Sequence, residues 1–141
     1  MKASDVNGRT AFHYAVVNTS PECLRVLLEF TPEHVNIGDT KNRTALHLAV
    51  AHKNFVDIVM PLLACPNTNV NALDHRMTTP LHWAAVCGST DQCKALYARG
   101  AKLEIRDING MTALHHASEK GHTETVKALQ WLAATGNVGM T

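Results

Sequence analysis

The sequence predicts an all-α solenoid, a row of stacked two-helix units, and three observations carry the prediction. One short segment recurs four times: Thr10-Ala11-Phe12-His13, Thr44-Ala45-Leu46-His47, Thr79-Pro80-Leu81-His82 and Thr112-Ala113-Leu114-His115. Its histidines are 34, 35 and 33 residues apart, and so are the aspartates Asp5, Asp39, Asp74 and Asp107 that precede each segment. An alanine stands two residues after every histidine, at Ala15, Ala49, Ala84 and Ala117. Two residue series that share one period near 34 residues mark an array in which each repeat is one supersecondary unit.

Each segment reads as a helix start. Thr79 can cap through its hydroxyl, Pro80 has its φ already set, and Leu81, Ala84 and Ala85 fall at i, i+3 and i+4 on one apolar face. In the first unit Phe12, Ala15 and Val16 form that face, and a second helix starts at Ser20-Pro21 with Leu24, Leu27 and Leu28 inward. The second unit has Leu46, Ala49 and Val50, then Ile58, Val59, Leu62 and Leu63; Pro61 predicts that this second helix is bent or starts late. In the third unit Ser89 and Gln92 have capping-box spacing, with Cys93, Leu96 and Tyr97 inward. The fourth has Leu114 and Ala117, then Val126, Leu129, Trp131 and Leu132; no helical pattern continues past Ala134. The whole chain reads as one domain with units 5–38, 39–73, 74–106 and 107–134 and a tail over 135–141.

On these residues the chain resembles the ankyrin-repeat family, whose pattern is D-x-x-G-x-T-P-L-H-x-A-A followed by G-A-x-V-N-A. The resemblance covers residues 5 to 132 and is strongest from Asp74 to Arg106. It implies two-helix units with protruding β-hairpin fingers, and a structural role for Thr10, His13, Thr44, His47, Thr79, His82, Thr112 and His115, each histidine bonding its own threonine and nearby backbone. Lys53 stands where the family has a glycine between helices. Asn42 and Met77 replace the turn glycine; asparagine tolerates positive φ and methionine does so poorly, so Met77 signals either a differently shaped finger or a side chain kept for contact.

Composition narrows the function. Hydrophobic residues make up 45% of 141, enough for a real core, and thirteen Lys and Arg against twelve Asp and Glu leave no global attraction for nucleic acid. There is no run long enough to span a membrane, and the four cysteines form no C-x-x-C pair, which favours a reducing, intracellular and cytoplasmic setting. Cys23 and Cys93 are expected on the buried side of second helices. Phosphate loops, nucleophile elbows and zinc-protease motifs are missing, so no catalytic residue, metal or cofactor is assigned. His115, His116 and His122 form the densest histidine cluster but lack zinc-ligand spacing.

What remains is grip. The resemblance implies a non-catalytic monomer that binds another protein on a concave side built from finger tips and inner helices. The corresponding positions are Asn7 and Arg9 in the first unit, Lys41, Arg43 and His52 in the second, and His75, Arg76, Met77, Val86 and Cys87 in the third. Ile108, Asn109, Met111, Glu119 and Lys120 follow in the fourth. Arg9, Lys41, Arg43 and Arg76 make the first three fingers basic, so an acidic partner segment is expected there, with Met77, Ile108 and Met111 offering apolar contact. Trp83 and Trp131 are expected to pack rather than stack on bases, which disfavours nucleic acid. Both ends carry apolar helices without a polar cap, as in a segment of a longer array serving a channel, an enzyme or a ubiquitin-ligase adaptor.

Overall fold

The computed structural model describes residues 7–52 and 55–139, so Asp5 and Lys53 lie outside the described residues. Every unit is set by its threonine. Thr79 is extended, at φ −95° and ψ 168°; its Oγ1 accepts the His82 N–H at 3.3 Å while His82 Nδ1 accepts the Thr79 N–H at 3.0 Å. Histidine thus plays the part that Glu or Gln plays in a capping box. Thr44 with His47 and Thr112 with His115 repeat both bonds, and in the first unit the Thr10 N–H donates to His13 Nδ1 at 2.9 Å.

From these starts run the inner helices α1 (Ala11–Val17), α3 (Ala45–His52), α5 (Pro80–Cys87) and α7 (Ala113–Glu119), packed side by side in chain order. The outer helices are α2 (Pro21–Phe30), α4 (Met60–Ala64), α6 (Thr90–Ala98) and α8 (Thr123–Gly139). Close approach of the inner row is possible because its shared positions are small: Ala49, Ala84 and Ala117 are fully buried, and Ala15 nearly so. Phe12, Leu24, Leu46, Ile58, Leu62, Leu81 and Leu96 fill the space between the two layers.

Pro61 acts as its chemistry requires. The outer helix of the second unit opens as a π-helical segment, Phe55–Val59, and becomes α-helical at Met60, so Pro61 sits in the first turn of α4, where a missing N–H costs least.

Four expectations about the helices fail. Ser89 makes no side-chain cap bond; Gln92 is drawn into the packed layer, and Thr90 Oγ1 instead meets Thr125 Oγ1 at 2.9 Å. Cys23 is exposed on the flank of α2 that it shares with Val26, although Gln92 at the same position of α6 is buried; Cys93 lies one residue further along, in the register of buried Leu24. Trp131 is exposed while Leu129 and Leu132 are buried, since Thr125, Leu129 and Leu132 form the inward stripe at i, i+4 and i+7. Lastly, α8 does not stop at Ala134 but continues to Gly139, and the Thr135 hydroxyl donates back to the Trp131 carbonyl at 2.8 Å.

Between units the chain turns through a finger. Asp39, Asp74 and Asp107 each accept two backbone N–H bonds on Oδ1, from the residues two and four further on, at 2.9 to 3.0 Å. The finger closes by a backbone bond such as Asp74 N–H to Thr78 O at 3.0 Å, and neighbouring fingers are tied by Thr40 N–H to Asn7 O, His75 N–H to Lys41 O and Ile108 N–H to Arg76 O. These are hairpin-type turns; no strand forms among the described residues. The fourth finger position is left-handed each time: φ is 60° at Asn42, 62° at Met77 and 78° at Gly110.

Met77 therefore adopts the same turn as its glycine counterpart, against its own preference. Left-handed backbone costs a bulky residue about 1–2 kcal/mol, and glycine gives back about 0.5–1 kcal/mol in unfolded-state entropy. Met77→Gly should raise unfolding stability by about 0.5–1 kcal/mol in urea titrations, with an unchanged slope.

Candidate interaction surface

The second oxygen of each finger aspartate is satisfied differently, and the choice shapes the surface. In the second unit Arg43 holds Asp39 Oδ2 through Nε and a terminal nitrogen, both at 2.8 Å. In the third, Trp83 Nε1 donates to Asp74 Oδ2 at 3.2 Å and to Thr78 Oγ1 at 3.0 Å. In the fourth, His116 Nε2 meets Asp107 Oδ2 at 2.7 Å. Burial alone would raise these carboxyls, yet the backbone N–H donors together with Arg43, Thr78 and His116 outweigh it and hold all three below the usual aspartate value.

Around Trp83 and His116 lies a groove of about 360 Å³ between the second and fourth fingers. Lys41, Arg43, His75, Arg76, Ile108 and Asn109 line it together with Trp83, Val86, Cys87 and His116. Trp83 stands edge-on to His47 with ring centroids 5.3 Å apart, and His116 stands edge-on to His82 at 5.6 Å. Aromatic side chains thus form a floor whose polar edges are turned inward.

Other sequence-predicted residues are not gathered there. Asn7, His52, Met77, Glu119 and Lys120 are exposed but lie outside the groove. His52 bonds its own helix through Nδ1 and the Leu48 carbonyl at 2.7 Å, and Met111 serves through its carbonyl, which accepts from His82 Nε2. Arg9 is only partly exposed. Arg43 is the main revision, since its guanidinium is turned onto a buried carboxylate and its charge is not free for a partner.

The sequence marks Trp83 as a packing residue, and it does pack half-buried against the core while bordering the groove; His116 stands out in the sequence only as a member of the histidine cluster. Their common signal is position: both follow the repeat histidine directly, where Tyr14 and Leu48 stand in the other units. His115, His116 and His122 do not converge on a metal, because their rings bond Thr112, Asp107 and the Val86 carbonyl respectively. Burial pushes the Cys93 thiol up to about 12, which leaves it an inert packing group.

An ankyrin-repeat family profile of three copies matches residues 1–74 and 53–137. The chain belongs to the ankyrin-repeat family. Its ankyrin relatives include the human transient receptor potential cation channel subfamily A member 1, 33% identical over 126 residues, which cover 89% of this chain and 11% of that protein. The mouse nuclear factor NF-kappa-B p105 subunit is 37% identical over 114 residues, covering 80% and 12%. The mouse B-cell lymphoma 3 protein homolog is 30% identical over 131 residues, covering 90% and 29%. The chain thus spans only a small part of these relatives. Ankyrin repeats are protein-interaction modules, and no described helix is long and apolar enough to cross a membrane.

Two predictions follow from this ankyrin surface. Arg43→Ala leaves Asp39 Oδ2 without its guanidinium and should cost about 1.5–3 kcal/mol of stability in urea titrations, whereas Lys41→Ala should stay within about 0.5 kcal/mol. Burial holds His47 and His82 below the ordinary histidine value, and their Nδ1 atoms already accept threonine N–H bonds. The unfolded state therefore binds more protons below about pH 6.5, so stability should be complete above that value and fall as pH drops through the lowered folded values. The depressed aspartates add a second loss below about pH 3.9. Urea midpoints measured from about pH 7.5 downward should decline accordingly.

Proposed function

We propose that the chain is a non-catalytic interaction module whose groove takes an extended acidic segment of a partner protein, with one apolar side chain seated on Trp83, Val86 and Ile108. The observation that carries this reading is the division of charge in the groove. Asp74 and Asp107 are buried and occupied by backbone N–H, Trp83 and His116, while exposed Lys41 and Arg76 form no ion pair among the described residues. The mouth is positive and the floor is aromatic and aliphatic.

Exposed ion pairs contribute about 0–1 kcal/mol each, so Lys41 and Arg76 chiefly steer and orient, while burial of an apolar side chain on Trp83 and Ile108 holds. The groove is complete within a single chain, so one copy suffices for the contact. His82 has both ring nitrogens bonded within the fold and His116 is held on Asp107, which suits a surface that binds without chemistry. The four free cysteines fit an intracellular setting. A regulatory array inside a larger channel, enzyme or adaptor is the second reading, favoured by the small share of each relative that the chain spans.

Selection from a displayed random-peptide library tests the first reading. Enriched peptides should carry clustered Asp or Glu beside an aromatic or long aliphatic residue, and Lys41→Glu combined with Arg76→Glu should weaken them about tenfold or more. Enrichment of basic or neutral peptides, or affinity untouched by the double reversal, would refute it.

A further inference from the structure

One large aromatic side chain is used neither by the core nor by the groove between the fingers. Trp131 is 62% exposed on α8, although nearby Leu129 and Leu132 are buried. It is the ninth residue of its helix, as Glu29 is of α2 and Ala98 is of α6, and all three are exposed. The second unit's π-helical segment shifts its register and takes it out of the comparison. Ala98 lies in a unit with a neighbour on each side, so this position faces outward whichever units flank it. The fourth unit thus presents tryptophan where the first and third present glutamate and alanine.

Trp131 borders a groove of about 650 Å³ on the outer side of α6 and α8, which pack against each other. Ala128 and Leu132 floor it, Lys94 rises from α6, and Glu124 and Lys127 rise from α8. Lys94 forms no ion pair among the described residues. Lys127 meets Glu124 only at 3.8 Å with both side chains mostly exposed, a pair that a partner's carboxylate can exchange. The outer groove between α2 and α4 is different: it is smaller, at about 280 Å³, it has no aromatic wall, and it holds Arg25 together with Asp57.

The lining selects the kind of backbone that fits. Its one hydroxyl, on Thr90, is already bonded to the Thr125 hydroxyl at 2.9 Å, so an extended segment would lay its N–H and C=O groups on apolar side chains without partners. A helix satisfies its own backbone. From Glu124 to Leu132 the wall runs about 12 Å along the α8 axis. Over that length a third helix in the trough between two packed helices makes contacts at i, i+3 or i+4, and i+7.

We infer that the outer face between α6 and α8 is a docking site for an amphipathic helix of a partner protein. An aromatic or long aliphatic side chain of that helix seats against Trp131, and its acidic side chains reach Lys94 and Lys127. Tryptophan suits the centre of such a contact, because it offers a large apolar area with few torsions to fix. The site shares no residue with the groove between the fingers, so either surface can be occupied while the other stays free.

Selection on the whole chain from a displayed library of short helical peptides, randomised along one face, tests the inference. Enriched helices should carry Asp or Glu flanking an apolar stripe, and should bind Lys41→Glu combined with Arg76→Glu as well as they bind the parent chain. Trp131→Ala should weaken them about tenfold or more, and Lys94→Glu combined with Lys127→Glu by about as much. These three residues are exposed, so thermal unfolding should not move. Absence of enriched helices, basic helices, or affinity untouched by Trp131→Ala would overturn the inference. A Trp131-dependent mass above one copy in sedimentation would overturn it in favour of a second copy. Trp131-dependent retention on anionic lipid vesicles without any helical binder would overturn it in favour of a membrane surface.

Discussion

The bond on which the rest depends is the one from a buried imidazole to the next unit's backbone. Threonine and histidine satisfy each other's N–H groups at the helix start, and that fixes which ring nitrogen carries the proton. The proton then points out of the unit, onto the carbonyl that also accepts the aspartate N–H closing the next finger, so one oxygen ties the helix start to the turn. One residue type thus closes a helix end and sets the spacing between neighbours. The same arrangement makes the fold acid-sensitive, because a second proton on the ring has no place to sit.

The finger aspartates obey a related rule with a different outcome. Each uses one oxygen to shape its turn, which every unit needs, and leaves the other to whichever donor is nearby. Arginine, tryptophan and histidine fill that role in turn. Because the donor is not prescribed by the turn, it can vary between units while the backbone stays constant. All three donors line the groove between fingers two and four, so structural satisfaction and surface character are settled by the same side chains.

Stacking explains where stability and exposure fall. A residue such as Ala45 is buried where a neighbouring unit covers it, while its counterpart Ala11 in the first described unit is exposed. Cysteine 23 and Gln92 show the same contrast at one outer-helix position, the first exposed at the end of the row and the second buried inside it. In an array of near-identical units, environment is assigned by place in the row as much as by residue type.

Repeat number, helix type, the threonine caps and the alanine seam were all legible in the sequence, because period and capping chemistry are local and repeat four times over. The interruption at Pro61 was equally legible, since a missing N–H acts on its own helix. The free charge at the fingers was not: Arg43 reads as a basic tip until the turn brings Asp39 Oδ2 within 2.8 Å. Nor were the outward turn of Trp131, the failed Ser89 box or the groove formed by Trp83 and His116, which depend on neighbouring helices competing for the same space. Local periodicity dictated what each unit is. Packing between units, which no single period encodes, decided which side chains remain for a partner.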